Sequence, residues 1–179
     1  MKYVLIIISF LILFQFCTSN KVKPVVDSKL NNEAIATQES WNSTITFSDS
    51  GNIKAILWSG HLRKYDDKKE TLIDENLKVD FYNPQQIKTT TLTSKRGRVD
   101  ETTNNLFAID SVIVFSDSVT IRTEEMMWRN KDRKIISDKY VKVISPLETI
   151  EGYGFESDQS LKNYVIYNIT YISRTDSAR

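Results

Sequence analysis

The sequence predicts an all-β fold, a series of antiparallel hairpins stacked around a shared apolar interior. Three observations carry that expectation. Val, Ile, Thr, Tyr and Phe, which favour strands, are plentiful between residues 41 and 172. Apolar and polar residues alternate there with the period of a strand, and no segment after residue 40 has a convincing helical period. The pattern also recurs. Leu57, Leu92, Ile121 and Ile150 open similar strands at steps of 35, 29 and 29 residues. The more apolar strands LKVDF, VIVFS and VKVIS begin at Leu77, Val112 and Val141, at steps of 35 and 29. Two independent series with the same intervals describe a repeated two-strand unit.

Each unit is an apolar strand, a turn, a second strand and a polar turn. The polar turns are YDDKKE (65–70), DETTNN (100–105), RNKDR (129–133) and DQSLKN (158–163), rich in residues that tolerate turn geometry. The stretch TTTLTSKRGRVDETTNN (89–105) is the end of one such unit. Alternation puts Leu77, Val79 and Phe81 on one face and Lys78, Asp80 and Tyr82 on the other. Val112 with Val114, and Val141 with Val143, repeat this arrangement. With Leu57, Leu92, Ile121 and Ile150 these residues form the expected inner face. The first and last strands, carrying Trp41, Ile45 and Phe47 at one end and Tyr164, Ile166, Ile169 and Tyr171 at the other, present edges with unpaired backbone groups. Such edges add a strand from a partner.

Length and composition bound the rest. The chain has 179 residues, the size of one domain with a tail. Its formal charge of +1, with basic residues dispersed among acidic ones, gives no electrostatic reason to bind nucleic acid. The N-terminus MKYVLIIISFLILFQFC has Lys2 before an apolar run, the shape of a signal peptide or short membrane anchor. Residues 1–17 are therefore expected to take the chain out of the cytoplasm, residues 18–40 to be a linker, 41–172 to be the β domain and 173–179 to be a tail. Cys17 is the only cysteine, so no disulfide forms within the chain. It stands where a lipoprotein cysteine would be acylated, although Phe14, Gln15 and Phe16 replace the small residues that processing favours. An acylated Cys17 and an uncleaved anchor are both open.

The residues do not spell out chemistry. His61 is the only histidine, which excludes a histidine cluster for a metal, and its neighbours lack ligand spacing. Glu124-Glu125 and Asp66-Asp67 are carboxylate pairs, but adjacent strand residues point to opposite faces and turn pairs are solvated. There is no P-loop, no G-x-S-x-G and no nucleophile with an identifiable base. Trp58 and Trp128 are read as packing residues. The expectation is a protein without cofactor, metal or catalytic residues.

The segments NLKVDFY, LTSKRGRVDE, DSVIVFS, IRTEEMMW and IEGYGFESD, in that order and spacing, resemble the LptC family of lipopolysaccharide export proteins. The resemblance covers about residues 41–172. Ser94 and Ser157 replace small alanines, and Asp110-Ser111 stands where the family often has Gly-Asn. It implies a β-jellyroll or folded "β-taco" with an apolar groove for lipopolysaccharide acyl chains, preceded by a short N-terminal membrane segment. It also implies partners: an inner-membrane LptB/LptF/LptG-type ABC transporter at the first edge and an LptA-type periplasmic bridge at the last. The rival expectation is a membrane-tethered structural or adaptor lipoprotein whose apolar residues pack a closed core without lipid cargo.

Overall fold

A computed structural model describes residues 35–174. Residues 1–34 and 175–179 lie outside the described part, and with them the N-terminal segment, Cys17 and most of the expected linker and tail. The strands are β1 (Gln38–Asp49), β2 (Asn52–Tyr65), β3 (Glu70–Tyr82), β4 (Lys88–Ser94), β5 (Arg96–Asp100), β6 (Asn105–Ser116), β7 (Thr120–Arg129), β8 (Lys134–Ile144), β9 (Glu148–Asp158) and β10 (Tyr164–Arg174). They form one antiparallel sheet in the order β1-β2-β3-β4-β6-β7-β8-β9-β10, with β5 continuing β4 past Lys95 to pair with β3 and β6. Strand order follows chain order, so every connection except the β4–β5 continuation is a hairpin. The β structure begins at Gln38, ahead of Trp41, because Thr37 N–H donates to the Lys64 carbonyl at 2.8 Å and starts the pairing early.

The strands are too long to stay flat, and each is interrupted near its middle. Register breaks fall between His61 and Leu62, Ile109 and Val112, Thr123 and Met127, and Ser137 and Tyr140. The positive backbone angles at Asn42, Asn76, Asp110, Ser111 and Gly154 fall on the same line. Pairing puts these sites side by side, so they form one crease across the whole sheet. The sheet folds on itself there, and two leaves face each other. Phe81 and Phe47 of the upper leaf meet Trp128 of the lower leaf at ring distances of 5.4 and 5.5 Å.

Inward hydroxyls brace the crease. A bulge leaves carbonyls without a ladder partner, and small polar side chains take them. Ser59 Oγ donates to the His61 carbonyl at 2.9 Å, Ser94 Oγ to Arg96 at 2.7 Å, Thr123 Oγ1 to Tyr140 at 2.8 Å and Ser137 Oγ to Glu125 at 2.7 Å. All four residues are buried. The hydroxyl of Ser94 thus does a job that the alanine of the family pattern cannot. The crease also corrects one sequence expectation. Glu124 and Glu125 both face outward, because the bulge cancels the alternation there. Asp80 lies on the polar face as expected, though buried there under Lys78 and Lys88, and accepts a 2.6 Å bond from Thr91.

Two substitutions test the crease. A Cβ on Gly152 would overlap the Asn168 carbonyl, which belongs to the backbone of β10. Gly152→Ala is expected to cost about 1–3 kcal/mol, the range for overpacking. Ser111 has φ +54°, a conformation that Asn adopts more readily. Ser111→Asn is expected to stabilise by roughly 0.5 kcal/mol. Urea unfolding followed by tryptophan fluorescence reads both.

Candidate functional site: an apolar interior and two free edges

The register aligns one aliphatic residue from each strand of the path into an unbroken row. Ile45 lies opposite Leu57, Leu57 opposite Val79, Val79 opposite Leu92 and Leu92 opposite Val114. The row continues through Ile121, Val143 and Ile150 to Ile172. Paired residues share a face of the sheet, so this row runs along the inner surface from the first edge to the last. At roughly 4.8 Å per strand it is about 38 Å long. A second, less regular row beside it carries Val112, Thr123, Val141, Gly152 and Ile169.

Of the residues expected inside, Leu57, Leu77, Val79, Phe81, Leu92, Val112, Val114, Ile121, Val141 and Val143 are all buried in one cluster. Ile150 is only half buried. At that end the inner face emerges into solvent: Ile169 and Ile172, which face inward by register, are 51% and 49% exposed. Mid-sheet the interior is packed shut by the opposite leaf, through Ile73, Val99, Leu106, Trp128, Ile135 and Phe155. Sequence reasoning left that wall out of the inner face. The sequence signal was weak: Val99 follows Arg98 in an alternating GRV (97–99), but Ile73 and Ile135 each stand beside a second apolar residue, Leu72 and Ile136.

Among the described residues both ends of the sheet are open: β1 pairs only with β2 and β10 only with β9. The edge residues divide by face. Ile45 and Phe47 on β1, and Tyr164 and Ile166 on β10, pack against the core. Phe155 and Tyr164 stack at 5.9 Å, and burial pushes the Tyr164 hydroxyl pKa up. Trp41 is exposed and stacks on His61 at 5.1 Å, and Tyr171 is exposed. His61 Nε2 lies 2.7 Å from Glu39 and Nδ1 3.5 Å from Asp74, a surface cluster that ties β1 to β2 and β3. Trp58 lies under Lys78 at 4.9 Å, and Trp128 is wholly buried. No group of three possible metal ligands occurs among the described residues.

The β9–β10 turn lies across the interior. Thr90 Oγ1 donates to the Gln159 carbonyl at 2.7 Å, and Gln159 Nε2 donates to the carbonyls of Tyr82 at 3.0 Å and Lys54 at 3.2 Å. Leu161 from the same turn is buried in the core. Asp158 organises the turn by accepting from Ser160 N–H at 2.9 Å, Ser160 Oγ at 2.7 Å and Asn163 Nδ2 at 2.7 Å. Burial raises its carboxyl pKa, but these bonds outweigh burial and hold it below the ordinary value. A lowered folded value means that Asp158 stabilises the fold above its unfolded pKa of about 3.9, and that this contribution is lost as pH falls through the folded value.

The exposed and buried parts of the inner face are expected to respond differently to charge. Phe155→Asp buries an unpaired carboxylate and should abolish folding. Ile169→Asp, at the solvent-open end, should change stability by no more than about 1 kcal/mol. Circular dichroism melts of the two variants check this.

The comparisons with known proteins agree with this geometry. The family model described as lipopolysaccharide-assembly, LptC-related, matches residues 3–171. A comparison with curated proteins finds no match. An all-β antiparallel sheet with an apolar inner face is consistent with the jellyroll of that family. The chain belongs to the LptC family, and is a lipopolysaccharide-assembly component and not an enzyme.

Proposed function

We propose that this protein carries lipopolysaccharide acyl chains along its inner face, taking them from an inner-membrane LptB/LptF/LptG-type ABC transporter and passing them to an LptA-type bridge. It works on the periplasmic side of the inner membrane, tethered by its N-terminal segment or by an acylated Cys17. The aliphatic row from Ile45 to Ile172 carries this reading. Burying one methylene is worth about 0.8 kcal/mol, so an acyl chain of around a dozen carbons costs about 10 kcal/mol to hold bare in water. A row of similar side chains removes that cost at every step. Similar steps leave no deep trap, and direction then comes from the transporter.

The two unpaired edges support the hand-over. A strand added to β1 or β10 extends the ladder, and with it the inner row, into the partner. The exposed Ile169 and Ile172 at the last edge fit an exit where the row continues onto the next protein.

A second reading has an observation in its favour. Val114 and its neighbours are packed as tightly as an ordinary core, which suits an adaptor without lipid cargo. Site-specific photocrosslinking in cells separates the two. Val114 faces inward, while Lys142 faces out and pairs with Glu151 at 2.8 Å. A benzophenone amino acid at Val114 is expected to capture lipopolysaccharide, and one at Lys142 is not. Capture at neither position, in a folded and tethered protein, leaves the adaptor reading.

A further inference from the structure

The interior is shut in the middle, and an acyl chain needs a way in. The leaves are joined at the crease along one side, so the opposite side, where the rims meet, is the lateral mouth. The four polar turns lie along the rim of the lower leaf. One of them, the β9–β10 turn, reaches the upper leaf. It is held there by the three Thr90 and Gln159 hydrogen bonds and by Leu161.

We propose that the β9–β10 turn, Asp158 to Asn163, is the removable cover of a lateral acyl-chain entry site, with Leu161 occupying the place an acyl chain takes. This rests on the lipid-carrying reading above. Four features fit a part that moves as a unit. The Asp158 carboxylate ties the turn internally to Ser160, Lys162 and Asn163, so it keeps its shape when it leaves. Leu161, a residue that disfavours the left-handed region, holds φ +60°. The Gln159 Oε1 atom is buried with no hydrogen-bond partner among the described residues. Lifting the turn hydrates that oxygen, which offsets part of the loss of the Gln159 Nε2 bonds. Finally, Leu161 is a branched aliphatic side chain on a mobile kind of element, a turn, yet is only 1% exposed. A competing aliphatic chain that takes the place of Leu161 in the core shifts the balance from the closed to the open state.

The test uses the full chain in detergent micelles and dansyl-labelled undecanoic acid as the probe, with uptake followed by dansyl fluorescence. Combining Thr90→Val with Gln159→Ala removes the bonds across the mouth. Loading is expected about tenfold faster than in the unaltered chain, following the larger open population, with the same final amount bound. A second variant carries Thr90→Cys and Gln159→Cys in a Cys17→Ser background, bridged by a short, reducible bis-methanethiosulfonate. The bridged form should not load, and reduction of the same sample should restore fast loading, which also shows that the variant is folded. Bridged and reduced forms loading at one rate would overturn the cover and leave the lipid reading standing. If neither the unaltered chain nor any variant takes up the probe, the lipid reading falls and the cover falls with it.

Discussion

The crease is the constraint on which the rest depends. A single antiparallel sheet with one apolar face has to hide that face, and this one hides it against itself. Folding requires an interruption in every strand at the same level. The register breaks and left-handed residues supply it, and Ser59, Ser94, Thr123 and Ser137 bond the carbonyls that result. Ser59 and Ser94 each bond the carbonyl two residues on, and Thr123 and Ser137 bond carbonyls of the neighbouring strand beside the bulge. A buried carbonyl left bare would cost more than the net gain of an ordinary hydrogen bond, so these residues decide where the sheet can fold.

The same constraint generates the functional geometry. Because the bulges are aligned, the ladder on either side of them stays in register, and the inner residues of successive strands line up across the sheet. The apolar row from Ile45 to Ile172 is a consequence of that register. Because the sheet closes by folding and not by pairing its ends, β1 and β10 keep edges that are free among the described residues. A barrel would have lost those edges, and a flat sheet would have exposed the row. The closed middle and the open end at Ile169 and Ile172 come from the same fold, since the two leaves overlap over only part of the row.

Much of this was legible in the sequence, and part of what was missed traces to the crease. The repeat located all four polar turns at the hairpin ends, and alternation put Leu57, Val79, Leu92, Val114, Ile121 and Val143 inside. The crease was not legible. A bulge adds a residue to a strand without a fixed signature, and here its left-handed positions are held by Asn42, Asn76, Asp110 and Ser111 as well as by Gly154. Missing the bulge misplaced Glu125. The opposite wall was missed in part for a related reason: Val99, Trp128 and Phe155 lie past the bulge, out of phase with Leu92, Ile121 and Ile150, whereas Ile73, Leu106 and Ile135 stay in phase but lie outside the strands that the repeat had picked out. The latch at Gln159 could not be read at all, because it joins residues far apart in the chain and uses backbone carbonyls, which leave no trace in a sequence.

The account claims that the β9–β10 turn leaves the upper leaf to admit an acyl chain. Nitroxide labels at Lys88→Cys and Lys162→Cys, in a Cys17→Ser background, report the distance between the upper leaf and that turn by electron–electron double resonance. Adding lipopolysaccharide is predicted to lengthen that distance by about 4–5 Å, the spacing that an inserted hydrocarbon chain requires at van der Waals contact. An unchanged distance at saturating lipopolysaccharide would contradict it.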